Sequence, residues 1–197
     1  MKLTLKATGI FIVLMGLASL TFAQVTEGPY EVKASIGVEN TLSVNIVRVI
    51  GTTESTASSI DFGQLNLDIT QGIYTADRFY IAYVGVTSNA SSWTLSHAHS
   101  TCVNQSDATE DLDSNIKVTF ADAWDTPTPG ETIITGGERS FANSDVTIGG
   151  LPAGHYLKTY YGIVGTADPS IGVTPIPSTK APGTYSGSVT FTLTPIP

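Results

Sequence analysis

The chain has 197 residues, a formal net charge of −8 at pH 7 and a single cysteine. Nine basic residues against seventeen acidic ones exclude a nucleic-acid-binding protein, because contacts with phosphate need clustered Lys and Arg side chains. One cysteine excludes a disulfide within the chain, and the length is that of one domain whose core needs no such link.

Residues 1–23 carry the pattern of a secretory signal peptide. A basic start with Lys2 and Lys6 precedes an apolar run over residues 9–18, and small residues ending at Ala23 precede Gln24. The apolar run is shorter than the roughly 20 residues that a membrane span needs. We expect cleavage after Ala23, which removes the two lysines and leaves one domain over residues 24–197 with a net charge of −10. This domain is expected to be secreted to the extracellular cell surface, with no transmembrane segment.

Apolar and polar residues alternate along most of the remaining chain, which is the period of a strand with one buried face. The first such segment has its apolar positions at Tyr30, Val32, Ala34, Ile36 and Val38. Further strands are predicted at residues 41–50, 60–67, 79–86, 92–98, 116–120, 132–135, 155–164 and 185–193. Loops rich in Thr, Ser, Pro and Gly are predicted at residues 52–59, 126–130 and 168–182. The pattern predicts an all-β fold, a single Ig-like or Greek-key β-sandwich of about eight to ten strands.

The last predicted strand has one apolar face and one face of hydroxyl groups. Its even positions from 186 to 192 are Ser or Thr, and its odd positions are Tyr185, Gly187, Val189, Phe191 and Leu193. The strand is expected to end at Pro195, because proline removes a donor from the ladder. The domain is therefore expected to close on its C-terminal segment.

Two short motifs on predicted strands resemble the WxL domain of bacterial cell-surface proteins. Trp93-Thr-Leu95 is similar to the family's first Trp-x-Leu motif, and Phe191-Thr-Leu193 is similar to the second, with Phe in place of Trp. The segment Ile-Asp-Phe-Gly at residues 60–63 and the closing Gly-Thr-Tyr pattern also resemble spore coat U and fimbrial-subunit β-sandwiches. The resemblance implies a cell-surface domain that attaches to peptidoglycan, and the departure at Phe191 bears on attachment more than on the fold.

The two motif strands allow two interpretations of their large side chains. On each strand the aromatic residue and the leucine lie two positions apart and hence on one face. Trp93, Leu95, Phe191 and Leu193 therefore either contact cell-wall glycan or form part of the core, where large aromatic side chains dominate the packing. Trp124 lies among aspartates near a predicted loop and is a candidate for an exposed ring that contacts glycan.

Two sets of candidate metal ligands also have a structural alternative. Asp111, Asp113 and Asn115 place oxygen ligands at alternate positions, as at the start of a calcium-binding EF-hand loop. The sixth loop position lacks the glycine of that motif, and a solvated acidic loop is the alternative. His97 and His99 share one strand face and either bind zinc or copper with a third ligand or are bonded locally at a strand end. Apart from calcium at the acidic segment, no cofactor is expected.

The sequence contains no Gly-x-Ser-x-Gly, His-Glu-x-x-His or Gly-rich phosphate-loop motif, and we expect a protein that is not an enzyme. The first hypothesis is a structural or attachment protein whose partner is the bacterial envelope, cell-wall glycan or copies of itself. The second is a filament or pilus-like subunit, in which residues 30–38 of one copy complete a sheet of another. The third is a carbohydrate-binding module.

Overall fold

The computed structural model describes residues 25–27, 34–36, 40–90, 92–124, 131–152 and 154–196. The predicted signal peptide lies outside the described residues, as do Tyr30, Val32 and Val38 of the first predicted strand. For the remaining two positions of that strand, Ala34 and Ile36, the structure gives the backbone pairing. Within the described ranges there is no α-helix, and one short 3-10 helix spans Phe141–Asn143.

Fifteen strands form within the described ranges. In chain order they are β1 (Val25–Glu27), β2 (Ala34–Ile36), β3 (Asn40–Ile50), β4 (Thr53–Ala57), β5 (Asn66–Asp68), β6 (Ile73–Thr75), β7 (Phe79–Thr87), β8 (Ser92–Asn104), β9 (Asp107–Asp111), β10 (Ile116–Trp124), β11 (Glu131–Ser140), β12 (Val146–Gly149), β13 (His155–Ile163), β14 (Ile176–Pro177) and β15 (Tyr185–Ile196). The predicted strands at residues 41–50, 79–86, 92–98, 116–120, 132–135, 155–164 and 185–193 are confirmed. The number of strands exceeds the predicted eight to ten because short strands also form in segments where no strand was predicted.

Two large antiparallel sheets form the sandwich. The five-stranded sheet has the order β1-β15-β8-β12, with β9 also paired to β8. The seven-stranded sheet has the order β11-β10-β13-β7-β3-β2, with β4 also paired to β3. A small third sheet contains β14, β6 and β5. The prediction of an all-β sandwich is therefore confirmed.

The core lies between the two large sheets because each strand buries alternate side chains. From the seven-stranded sheet, Leu42, Val44 and Val84 are at most 1% exposed. From the five-stranded sheet, Leu95 and Leu193 are fully buried. All of these residues belong to one contiguous apolar cluster. Because burial of apolar surface contributes about 25 cal/mol per Å², this layer is the main source of stability.

β15 lies inside the five-stranded sheet, between β1 and β8. Its predicted alternation is confirmed, since Phe191 and Leu193 are 1% and 0% exposed while Thr190 on the other face is half-buried. The strand passes through Pro195 and ends at Ile196, so the predicted end is wrong. Proline lacks the N–H donor only, and its carbonyl oxygen can still accept a bond within the ladder.

A β-bulge in β8 interrupts its ladder with β15. The register shifts by one between Ser186 and Ser188, so that two residues of β8 face Gly187. A Cβ atom on Gly187 would lie 2.7 Å from the carbonyl oxygen of Ser100, which leaves room for glycine alone. Odd-numbered residues of β8 enter the core before the bulge, and the even-numbered Asn104, 2% exposed, does so after it. The bulge therefore explains why the alternation of β8 predicts only its first half.

Two predictions for residues 52–67 are wrong. Residues 52–59 contain β4 rather than a loop, and residues 60–65 form a loop rather than a strand of the Phe-Gly type. In this loop the N–H of Gly63 donates a hydrogen bond to Oδ1 of Asp61 at 2.8 Å, and Gly63 has a φ of +66°. A bond from an aspartate to the backbone two residues on favours a turn over a strand. Phe62 in this turn packs edge-on against Tyr80, which holds the loop to the core.

Replacement of Phe191 by Ala should destabilise the domain by about 3–5 kcal/mol, because it leaves a cavity where the ring is now 1% exposed. Thr190→Ala, on the opposite face of the same strand, is the control and should change the free energy of unfolding by less than about 0.5 kcal/mol. Urea unfolding of both variants measures the difference. Equal losses in the two variants would contradict this assignment of faces.

Candidate functional site

The side chains of the two motifs lie in the core or at its margin. Leu95, Phe191 and Leu193 are at most 1% exposed, and Trp93 is half-buried and packs against the same cluster. These side chains are therefore core residues. Because Leu95, Phe191 and Leu193 are buried, they cannot contact glycan directly. The side chain of Trp124 lies outside the described part of the structure.

His97 lies in the middle of the core rather than at a strand end. Its Nδ1 is 2.8 Å from the carbonyl oxygen of Ser144, and its Nε2 is 3.0 Å from the hydroxyl oxygen of Tyr161. Because a carbonyl oxygen only accepts, Nδ1 carries the proton and donates, while Nε2 accepts from Tyr161. The rings of Phe120 and Phe191 meet the imidazole edge-on at 5.1 and 5.2 Å. These contacts satisfy a neutral imidazole and use both of its nitrogens, which leaves none for zinc or copper.

Burial of His97 couples its protonation to folding. It lowers the pKa of His97 to about 4, because the charged imidazolium is disfavoured in the apolar core. In an unfolded chain the pKa of histidine is about 6.5. As the pH falls below that value, the unfolded state takes up the proton before the folded state does. The contribution of neutral His97 is therefore fully present above about pH 6.5 and is lost as the pH falls towards 4.

We expect the free energy of unfolding to fall by up to about 3 kcal/mol between pH 6.5 and pH 4 through His97. His97→Gln, which does not titrate, should remove this part of the pH dependence while being less stable at pH 7. Urea unfolding of both proteins at pH 7, 5.5 and 4.5 gives the two slopes. Identical slopes for the two proteins would rule out His97 as the source.

His99 shares the face of β8 with His97, as predicted, and is bonded to acidic side chains. Its Nδ1 lies 2.7 Å from Oδ1 of Asp145, and its Nε2 lies 3.7 Å from Oδ2 of Asp113. The ring also packs against Phe141 at 4.8 Å. In the described part of the chain, no group of three or more His, Cys, Asp and Glu side chains could hold a metal ion. Both histidines are therefore bonded to neighbouring groups of the protein, which is the alternative to a metal site.

Asp111, Asp113 and Asn115 stabilise a buried turn. Oδ1 of Asp111 accepts from the backbone N–H of Asp113 at 3.0 Å, and Oδ1 of Asp113 accepts from the N–H of Cys102 at 2.7 Å. The amide nitrogen of Asn115 donates to the carbonyl oxygen of Thr174 at 3.0 Å. Asp113 and Asn115 are 7% and 4% exposed, so the expected solvated acidic loop is wrong. The bonds give these side chains a structural role, and the geometry provides no support for calcium.

A groove of about 810 Å³ opens between the loop at residues 59–65 and the segment at residues 180–189, which leads into β15. The floor of this groove is apolar and reaches the core through Leu112, Ile116, Phe141, Ile163 and Ile176. No feature of the sequence predicts this site. Its two walls are more than 100 residues apart in the chain, and no motif or spacing links them.

The groove has few charged residues in its lining. Its charged lining consists of Asp61 and Lys180, and the Nζ of Lys180 lies 2.9 Å from a carboxylate oxygen of Glu110. Burial, together with the nearby carboxylates of Asp113 and Asp111, raises the pKa of the Cys102 thiol to about 11. Because the thiolate is the nucleophilic form, Cys102 is unreactive near pH 7.

We expect iodoacetamide to alkylate Cys102 at pH 8 roughly a hundredfold more slowly in the native protein than in urea, because the thiol is half-buried and its pKa is raised by about two units. The rate should rise with pH up to about pH 11. Mass spectrometry of the alkylated protein over time measures both rates. Comparable rates for native and unfolded protein would show that the thiol is open to solvent.

The edge of β15 that borders the groove pairs with a described strand over three residues only. β1 pairs with β15 at Leu193, Thr192 and Phe191. Among the described strands, none pairs with residues 185–190 on the side away from β8. An edge strand presents a row of N–H and C=O groups that can pair with another chain. Backbone groups for a new strand and an apolar groove for its side chains therefore occur side by side.

Comparison with known proteins gives no match to a family model, to a curated protein or to a solved structure. The resemblance to WxL domains, and to spore coat U and fimbrial subunits, therefore stays a prediction that rests on the motifs. Within the described ranges, no helix has the length and apolar character that crossing a membrane requires.

Proposed function

We propose that the protein is a non-enzymatic structural subunit of the cell surface that assembles with copies of itself by β-strand addition. The observation that carries the proposal is the edge of β15 at residues 185–190, which no described strand covers on the side away from β8, beside an apolar groove that reaches the core. The location at the cell surface rests on the predicted signal peptide and on the resemblance to surface proteins.

An added strand would use both features of this site. Its backbone would pair with residues 185–190 of β15, and its alternate side chains would enter the groove. Leu112, Ile116 and Phe141 on the floor are 5–7% exposed, so side chains placed above them would extend the existing core. Full burial of one aliphatic or aromatic side chain contributes about 1.5–3 kcal/mol. A few such side chains would support a stable contact between subunits.

The N-terminal segment of a second copy is the proposed donor. Residues 30–38 alternate strictly between apolar and polar residues, which is the pattern that an added strand needs. The described residues of this region pair within one chain over three residues each, β1 with β15 and β2 with β3. Release of the pairing of β2 with β3 would free the segment to pair with residues 185–190 of a neighbouring copy.

The donor and the acceptor are different surfaces of one subunit. Such a contact is heterologous, and it generates rings when the rotation closes and filaments when it does not. The predicted net charge of −10 after cleavage favours solubility of the free subunit. We therefore expect filaments or rings rather than a two-fold symmetric dimer.

Leu65→Lys tests the acceptor groove. Leu65 lies in the wall loop and packs against the core, and an incoming strand would have to desolvate the new ammonium group. We expect the secreted wild-type protein to form assemblies that electron microscopy shows, and Leu65→Lys to weaken assembly at least tenfold. Leu67→Lys is the matched control, because Leu67 is 46% exposed and lies outside the groove. Size-exclusion chromatography with light scattering measures the concentration dependence of each protein.

Deletion of residues 24–39 tests the donor. It should abolish assembly, and a synthetic peptide of residues 28–40 should bind the shortened protein and raise its melting temperature. A wild-type protein that stays monomeric at every concentration would overturn the proposal. So would assembly that is unchanged by both Leu65→Lys and the deletion.

A further inference from the structure

The outer face of the seven-stranded sheet carries a row of aromatic rings. Core residues of β7 have even numbers and those of β13 have odd numbers, so the remaining positions point away from the core. On these positions Tyr83 pairs with Lys158, Tyr160 with Ile81, and Tyr156 with Gly85. The rings alternate between two neighbouring strands over four successive positions, a length of about 20 Å. We call the four residues the aromatic row: Phe79, Tyr83, Tyr156 and Tyr160.

An apolar floor lies beneath part of the aromatic row. Val47, Val49 and Ile81 are 5–7% exposed and form a cluster separate from the core between the sheets. Tyr83 and Tyr160 pack against this cluster. The tyrosine rings are half-buried, and Phe79 is 37% exposed. The rings therefore cover the floor and turn part of their surface to the solvent.

Glycines allow the rings to lie close to the sheet. A Cβ atom on Gly85 would lie 3.3 Å from a ring carbon of Tyr156, so a larger residue there would crowd the ring. The ring centres of Phe79 and Tyr160 are 6.5 Å apart and their planes differ by 33°. Rings on neighbouring strands therefore adjoin one another at the Phe79 end of the aromatic row.

The polar groups along the aromatic row compensate one another. The hydroxyl of Tyr160 donates to the carboxylate of Glu131, which also lies 3.3 Å from the Nζ of Lys158. The same Nζ lies 5.2 Å from the centre of the Tyr83 ring. Burial raises the pKa of both tyrosines, so their hydroxyls remain donors at neutral pH. The aromatic row thus offers rings, hydroxyl groups and a paired cation.

We propose that the aromatic row binds a neutral polysaccharide chain. A sugar ring has a face of C–H groups that packs on aromatic rings, and its hydroxyls can bond to Tyr, Lys and Glu side chains at the margin. Binding of phosphate or anionic lipid would need cationic side chains that are not paired, whereas Lys158 is paired with Glu131 and the chain is acidic. A wholly apolar partner would desolvate that ion pair at a cost. The site is separate from the groove beside β15 and does not depend on assembly.

Binding of the secreted protein to insoluble cellulose and chitin, and to soluble cellohexaose and chitohexaose, tests the proposal. We expect binding to at least one of these glycans and a loss of about tenfold in affinity for each of Phe79→Ala and Tyr83→Ala, because each removes one aromatic contact. Tyr160→Phe keeps the ring and should lose less than tenfold. Thr190→Ala, on the outer face of the other sheet, is the matched control. Thermal melting identifies any variant that fails to fold, and the other alanine variant then carries the test.

Absence of binding by the wild-type protein to all four glycans would overturn the proposal. Equal binding by Phe79→Ala, Tyr83→Ala and Thr190→Ala would overturn it as well. Leu65→Lys should bind glycan as the wild type does, and Phe79→Ala should assemble as the wild type does. A failure of glycan binding is therefore distinguishable from a failure of assembly.

Discussion

The ladder between β8 and β15 runs from the Tyr185–Asn104 pair to the Ile196–Ser92 pair and holds the end of the chain inside the five-stranded sheet. It joins residues 81 to 104 positions apart, so the chain must close a long loop before the ladder can form. β1 pairs with this strand and depends on it, and Phe191 and Leu193 complete the core from it. The groove and the edge at residues 185–190 also take their position from β15.

A polar contact crosses the sandwich at the centre of this ladder. His97 on β8 bonds to Tyr161 on β13, so the five-stranded and seven-stranded sheets share a hydrogen bond within the apolar layer. Apolar contacts tolerate small shifts of one sheet over the other, whereas a buried hydrogen bond has one good geometry and is costly to leave unmade. We infer that this pair fixes the alignment of the two sheets, and that Ser144 anchors the imidazole from the connection before β12.

The fold was predictable because the alternation of residues in β3, β13 and β15 reflects which face is buried. Whether Trp93 and Phe191 lie in the core or contact glycan could not be predicted, because alternation identifies a face without showing what covers it. The groove joins residues 59–65 to residues 180–189, and only the sheet topology brings them together. The aromatic row was partly visible in the sequence, because β7 is apolar on both faces. That pattern is unusual for an antiparallel strand with one side in water. His97 looked like a ligand, and only its neighbours show that it is a core residue.

The bulge opposite Gly187 bears on how such a subunit avoids unwanted association. A regular, flat edge next to an apolar groove would accept almost any extended chain, which is the hazard that leads to amyloid. Two residues of β8 crowd Gly187 from one side, and a bulge increases the local twist of the strands that it joins. A strand added along residues 185–190 must therefore follow a bent path rather than a straight one. In the proposed assembly, the bulge would restrict pairing at this edge to segments that can follow the bend, and it would disfavour the flat stacking of strands that leads to aggregation.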